Sequence, residues 1–134
     1  MFCCSFNDKV LDHFMNPRNS GEMKNPDCIG NAGDPACGDS LTLYLKIKNN
    51  IIIDITFKVF GCVSAIATSS ITTELAKGKT LEEAIKITDK DITDALDGLL
   101  ENKVHCSVLG ATALKDAIEN YKSNNNRKWV LINE

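Results

Sequence analysis

Three of the six cysteines sit in local sequences built to expose a thiolate. Cys37 lies in Asp34-Pro-Ala-Cys-Gly-Asp39, Cys62 follows Phe60-Gly61, and Cys106 follows His105. The three are 25 and 44 positions apart. No pair forms a Cys-x-x-Cys, so no single loop closes a zinc knuckle. A fold that converges them makes a three-thiolate site with one position left for another donor, His105 or Asp39. That layout suits a cluster held loosely enough to be given away. Gly38 lets the backbone approach a ligand closely, and Asp39 sets a carboxylate two residues from the Cys37 thiol. Cys62, after Gly61, falls where a strand hands over to a helix. The free N–H groups and positive dipole end there favour a thiolate. Cys106 repeats the arrangement before the last helix, with His105 and Lys103 beside it.

Each of these residues also has a plainer reading. A lone cysteine is usually a small buried hydrophobe, the reading adopted for Cys3, Cys4 and Cys28. It fits poorly for Cys37, Cys62 and Cys106, because Gly or His flanks each and none lies in an apolar stripe. His105 alone is an ordinary polar residue and becomes a candidate ligand only beside Cys106. Asp39 reads equally as a turn carboxylate, and Lys103 as a solvated side chain. His13, between Leu11 and Phe14 near a proline break, reads as a packing or surface residue.

These residues need elements to position them. Asn16-Pro17 ends a helix over 6–15 that places Val10, Leu11 and Phe14 on one face. Residues 18–38 hold four of the eight glycines and two of the three prolines and read as an irregular loop leading to Cys37. Residues 40–48 alternate, with Leu41, Leu43, Leu45 and Ile47 on one face. Asn49-Asn50 makes a tight turn, and 51–60 continue the alternation with Ile53, Ile55, Phe57 and Val59. The two strands predict an antiparallel hairpin with one wet face. Beyond Gly61 the pattern is helical. Val63, Ile66, Ala67, Ser70 and Leu75 share a stripe over 63–77, Thr80 to Glu83 is a capping box opening a helix over 81–87, and Asp91 to Leu99 forms another. The last helix runs over 107–122, followed by a tail that starts polar (SNNNRK) and ends apolar (WVLINE).

At 134 residues the chain reads as one domain with a core over about 6–122 and a tail over 123–134. Apolar content of 43% and charged content of 25% are ordinary for a globular protein. A net charge of −3 argues against nucleic acid as a partner. No apolar run approaches the roughly 18 residues of a membrane span, and the N-terminus has no signal-peptide pattern. The expectation is a cytoplasmic protein, in which cysteines serve as ligands or reactive thiols rather than disulfides.

Five ordered segments, KVLDHFMNPRNSG, ACGDS, FGCVSAIATSS, ELAKGKTLEEA and KVHCSVLGATALKDAI, closely resemble the iron–sulfur cluster assembly scaffolds of the IscU and NifU N-terminal type. The resemblance runs over roughly residues 6–122. It implies an α+β fold of the SufE/NifU-like type: a small, mostly antiparallel three-stranded sheet with helices packed on one face. The third strand, not read from the residues, would lie in the 26–36 stretch. It implies that Cys37, Cys62 and Cys106 are the scaffold thiolates. Asp39 would take part in metal binding and keep the cluster labile, His105 would complete the site, and Lys103 would pair with thiolate or Asp39. It further implies a non-enzymatic scaffold that accepts persulfide sulfur, most plausibly on Cys106. That scaffold would build a transient [2Fe–2S] cluster from Fe(II), with Zn²⁺ able to occupy the same donors. A cysteine desulfurase, an electron donor such as a ferredoxin, and apo-protein recipients would be its partners, and it would act as a monomer or homodimer.

The sequence departs from the family in three respects. LPPVK, which precedes the His-Cys pair in scaffolds served by a dedicated Hsp70, is replaced by Leu99-Leu-Glu-Asn-Lys103, which puts that chaperone in question. Phe6 stands where an N-terminal tyrosine is common. The 134 residues correspond to the N-terminal part of full-length NifU alone, so the expectation is a free-standing scaffold, and the 43 residues between Cys62 and Cys106 leave no room for the insertion of zinc-binding SufU types. Two other classes of function remain beside the scaffold: a sulfur relay through Cys106 with zinc holding the site, and a structural zinc domain.

Overall fold

In the computed structural model the described residues are 7–34, 39–98 and 105–133, with backbone alone described at 34, 105–107 and 124–133. Three antiparallel strands form the sheet in the order β1 (Cys28–Asp34), β2 (Asp39–Lys48), β3 (Ile51–Phe60). The expected third strand therefore falls within 26–36 as placed. Asn49 and Asn50 both take positive φ, 54° and 65°, the conformation of a type I′ two-residue hairpin turn that matches the strand twist.

Leu41, Leu43, Leu45 and Ile47 face inward and are buried, as do Ile55 and Phe57 on β3. Ile53 does not join them. The register shifts at Lys46/Ile47, where Lys46 pairs with Asp54 but Ile47 pairs with Ile52. Ile53 is the extra residue of a bulge, so it is turned out to solvent and Ile52 takes the buried position.

The helices are α1 (Asp8–Met15), α2 (Val63–Ala76), α3 (Leu81–Ala84), α4 (Asp89–Ala95) and α5 (His105–Asn133). Asn7 caps α1, accepting from Val10 N–H, and donates from Nδ2 to the Leu96 and Gly98 carbonyls. The start of α1 is thus tied to the end of α4. Val10 is buried as expected, but the other buried residue of this helix is His13, with Leu11 and Phe14 only half-buried. The capping boxes at Thr80/Glu83 and Thr88/Asp91 are both formed. Each helix is shorter than the spacing suggested: α3 ends at Ala84 rather than 87, and α4 starts at Asp89 and ends at Ala95 rather than 99. The last helix is longer, since the backbone stays helical through the polar tail.

Helix α2 corrects the sequence reading more deeply. The stripe through Val63, Ile66 and Leu75 is only half-buried, whereas Ser64, Ala65, Ala67 and every residue from Thr68 to Thr73 are buried. The helix is packed on nearly all sides, by α1, β3, α4 and α5. Small residues permit this close approach. Several of their hydroxyls are satisfied within the helix or across it: Thr72 Oγ1 donates to the Thr68 carbonyl, and Ser70 Oγ accepts from Arg18 N–H and meets His13 Nδ1 at 2.8 Å.

Helix α5 lies along β1. A Cβ on Gly30 would collide with the Ala113 carbonyl and the Ala117 amide, so glycine is what allows helix and strand backbones to touch. Asp116 Oδ2 accepts from Asn31 N–H at 2.9 Å, and Asn120 Nδ2 donates to the Ile29 carbonyl at 2.9 Å. These two side chains satisfy backbone groups along the outer edge of β1.

Candidate metal-cluster site

The strand-to-helix junction expected at Cys62 is formed: Cys62 is the N-cap of α2, in extended backbone with φ −80° and ψ −179°. The helix therefore opens at this residue, with the free N–H groups of its first turn and the positive end of its dipole beside Cys62. Cys62 is half-buried, so the sulfur remains reachable.

Asp39 is brought to the same place by strand register. Ser40 pairs with Phe60, which sets the first residue of β2 opposite the residue that leaves β3. Its carboxylate lies over Gly61: a Cβ there would sit 2.7 Å from Asp39 Oδ1 and 2.8 Å from Ala65 Cβ. Gly61 is required by this contact, not by a special φ. Asp39 is 7% exposed, so a carboxylate is held nearly buried beside the residue that carries the second thiol.

His105 and Cys106 are the first two residues of α5. Cys106 stands one helical turn before Gly110, and a Cβ on Gly110 would run into the Thr72 hydroxyl of α2. The opening turns of α2 and α5 thus belong to helices in direct contact. The side chains of His105 and Cys106, and all of Cys37, Gly38 and Lys103, lie outside the described residues. Among the described residues no three His, Cys, Asp or Glu side chains gather as a metal site.

Cys28 takes no part. It is buried on the inner face of β1, and burial pushes its thiol up to about 12, with Asp27 adding to the shift. It is an inert core thiol, as read from sequence.

One residue escaped the sequence reading. Ser64, in the first turn of α2, is fully buried, and among the described residues its Oγ meets no hydrogen-bond partner. A buried hydroxyl left unmatched costs about 1–3 kcal/mol. The signal was present as a serine two residues beyond Cys62 in FGCVSA, and was read only as part of a helix.

Comparison with known proteins decides the family. Residues 5–128 match the family described as NifU-like N terminal domain. The chain belongs to that family. An "Iron-sulfur cluster assembly scaffold protein IscU 1" of Archaeoglobus fulgidus is 53% identical over 91% of this chain and 80% of its own length. The IscU scaffold protein of Aquifex aeolicus is 48% identical over 87% of this chain and 75% of its own. Against NifU of a Nostoc species the identity is 46%, and the chain spans 42% of that longer protein. Among solved structures, a NifU-like N-terminal protein of Brucella abortus superposes with a TM-score of 0.68 over 87% of this chain and 94% of its own, at 21% identity. That likeness supports the α+β fold.

Proposed function

We propose that this NifU-like domain is a scaffold on which an iron–sulfur cluster is assembled and then passed to apo-proteins. The observation that carries the reading is the Asp39 carboxylate seated over Gly61 beside Cys62, at the open end of a buried helix, in a chain whose close relatives are named as such scaffolds. Cys37, Cys62 and Cys106 supply thiolates, Asp39 and His105 compete for the remaining position, and Lys103 pairs with the anionic groups.

The cluster is cargo, so the chemistry must load and release it. A cysteine desulfurase carries sulfur as a persulfide. A scaffold thiolate, Cys106 at the start of α5, attacks the outer sulfur, takes it as its own persulfide and releases the donor thiolate. Two ferrous ions and two such sulfurs at the oxidation level of elemental sulfur make a [2Fe–2S] core. Reducing both sulfurs to sulfide takes four electrons. The irons give two on becoming ferric, and a donor such as a ferredoxin gives the other two. Retention rests on thiolate ligation, and a hard carboxylate among the ligands favours release. The same donors suit tetrahedral Zn²⁺.

Anaerobic reconstitution with Fe(II), cysteine and a cysteine desulfurase, followed by visible and Mössbauer spectra, tests this. Cluster bands in wild type, and their loss in Cys37→Ser, Cys62→Ser and Cys106→Ser, are expected. A colourless protein that keeps zinc while stimulating sulfur release would replace the scaffold with a sulfur relay.

A further inference from the structure

Helices α2 and α5 start at the same end of the molecule. Helix α2 leaves the end of β3, and just past its far end Gly78 N–H donates back to the Ile52 carbonyl near the start of that strand. It therefore runs antiparallel to β3. Helix α5 runs antiparallel to β1, because Asp116 meets Asn31 and Asn120 meets Ile29. Strands β1 and β3 both pair antiparallel with β2, so the two helices run the same way.

Ser64, Thr68 and Thr72 follow one another at helical spacing and share one face of α2. All three are buried. Thr72 fixes which face this is, since its hydroxyl lies against the Cβ position of Gly110; the face looks onto α5. One turn back on both helices sets Thr68 level with Cys106, and a further turn of about 5.4 Å reaches Ser64. The hydroxyls along this face differ. Thr72 Oγ1 donates to the Thr68 carbonyl, and Thr68 Oγ1 to the Ala65 carbonyl. Ser64 Oγ, fully buried, meets no partner among the described residues. The helix start supplies none either: Cys62 makes no side-chain cap, and the first turn carries no acidic residue. This unmatched donor stands two residues after one proposed thiolate and about one turn from the level of another. It calls for an acceptor, and anionic sulfur is what loading of the site brings there.

We propose that the Ser64 hydroxyl binds the cargo, donating a hydrogen bond to a sulfur of the loaded cluster. The inference rests on the scaffold reading and adds to it a binding residue outside the candidate ligands. The hydroxyl is a cost in the empty protein and a contact in the loaded one. A hydrogen bond to sulfur favours the reduced, more negative cluster and so raises its potential. Ser64→Ala therefore acts with opposite sign in the two states. In the empty protein its urea midpoint should rise, because an unmatched buried hydroxyl is gone. After anaerobic reconstitution with Fe(II), cysteine and a cysteine desulfurase, its cluster should show a lower reduction potential than wild type in a dye-mediated titration. That cluster should also be lost to a chelator about tenfold faster, the worth of one hydrogen bond. Thr72→Val removes a hydroxyl already paired within the helix and should leave potential and loss rate as they are. A Ser64→Ala cluster with wild-type potential and lifetime would overturn the inference and leave the scaffold reading intact. An equal change in Thr72→Val would assign the effect to the packing of α2 and overturn it too. So would an empty Ser64→Ala protein less stable than wild type, since the hydroxyl would then have a partner before loading. A wild type that assembles no cluster would overturn the scaffold reading itself, and the inference with it.

Discussion

At Gly61 a single hydrogen atom stands between the Asp39 carboxylate and the first turn of α2. Gly61→Ala forces a Cβ to 2.7 Å from Asp39 Oδ1, so the carboxylate or the helix start must move. We expect about 1–3 kcal/mol of destabilisation in urea titrations. We also expect a change in cluster lifetime in the same direction as Asp39→Ala, because the carboxylate is displaced. Cys28 and Cys62 should separate in reactivity: a buried thiol pushed up to about 12 stays protonated, so iodoacetamide at pH 8 should modify Cys62 and leave Cys28 unlabelled until the chain unfolds. Mass spectrometry of the labelled native protein checks this, and early modification of Cys28 would contradict the packing of β1. His13 carries a pH dependence. Burial is the main cause that holds its pKa below the ordinary 6.5, Arg18 adds to the effect, and Glu74 and Asp12 oppose it. A neutral ring can accept from Ser70 and donate to Glu74 at 3.4 Å. Since the folded state binds this proton less readily than the unfolded chain, the stability is complete above about pH 6.5 and is lost as pH falls through the folded value. Urea midpoints at pH 7.5 and 5.5 should differ in wild type, and less so in His13→Gln.

At the scale of elements, the sheet and its helices divide between what local pattern shows and what packing decides. The hairpin was legible because Leu41, Leu43, Leu45 and Ile47 alternate cleanly with polar residues and Asn49-Asn50 accepts positive φ. The bulge was not, because Ile51, Ile52 and Ile53 are all apolar and give no phase; the pairing of Ile47 with Ile52 chose it. The Gly-Cys junction announced the start of α2. The burial of α2 on nearly all sides did not follow from its serines and threonines; Thr68, Ser69, Thr72 and Thr73 tolerate burial because their hydroxyls return to the helix's own carbonyls. The Asp39–Gly61 contact was beyond reach for the same reason as the bulge: it depends on the register that pairs Ser40 with Phe60. Helix α5 offers a direct test at this scale. Gly30→Ala drives a methyl into the α5 backbone at Ala113 and Ala117, where no side chain can yield. A loss of about 3 kcal/mol or more, with faster exchange of the Asn31 amide that Asp116 holds, is expected. A near-neutral substitution would contradict the contact.

For the whole molecule, the core runs without interruption from the inner sheet face through α2 to α5, with Leu43, Leu45, Ile55, Leu96, Leu114 and Ile118 fully buried. None of these contacts calls on a metal ligand. Chelation should therefore leave the circular dichroism spectrum and the cooperative unfolding transition in place, whereas a structural zinc domain unfolds when its metal is removed. No helix among the described residues is long and apolar enough to cross a membrane. In the proposed reading the site is built where β3 leaves the sheet and α2 begins, with Asp39 over Gly61, and temporary holding of the cluster would rest on Asp39. The most direct measurement is the lifetime of the reconstituted cluster in wild type and Asp39→Ala, followed anaerobically by its visible absorption in the presence of an apo-ferredoxin acceptor. The account predicts a cluster that persists longer on Asp39→Ala and transfers more slowly. A cluster that forms on both and leaves both at the same rate would contradict it.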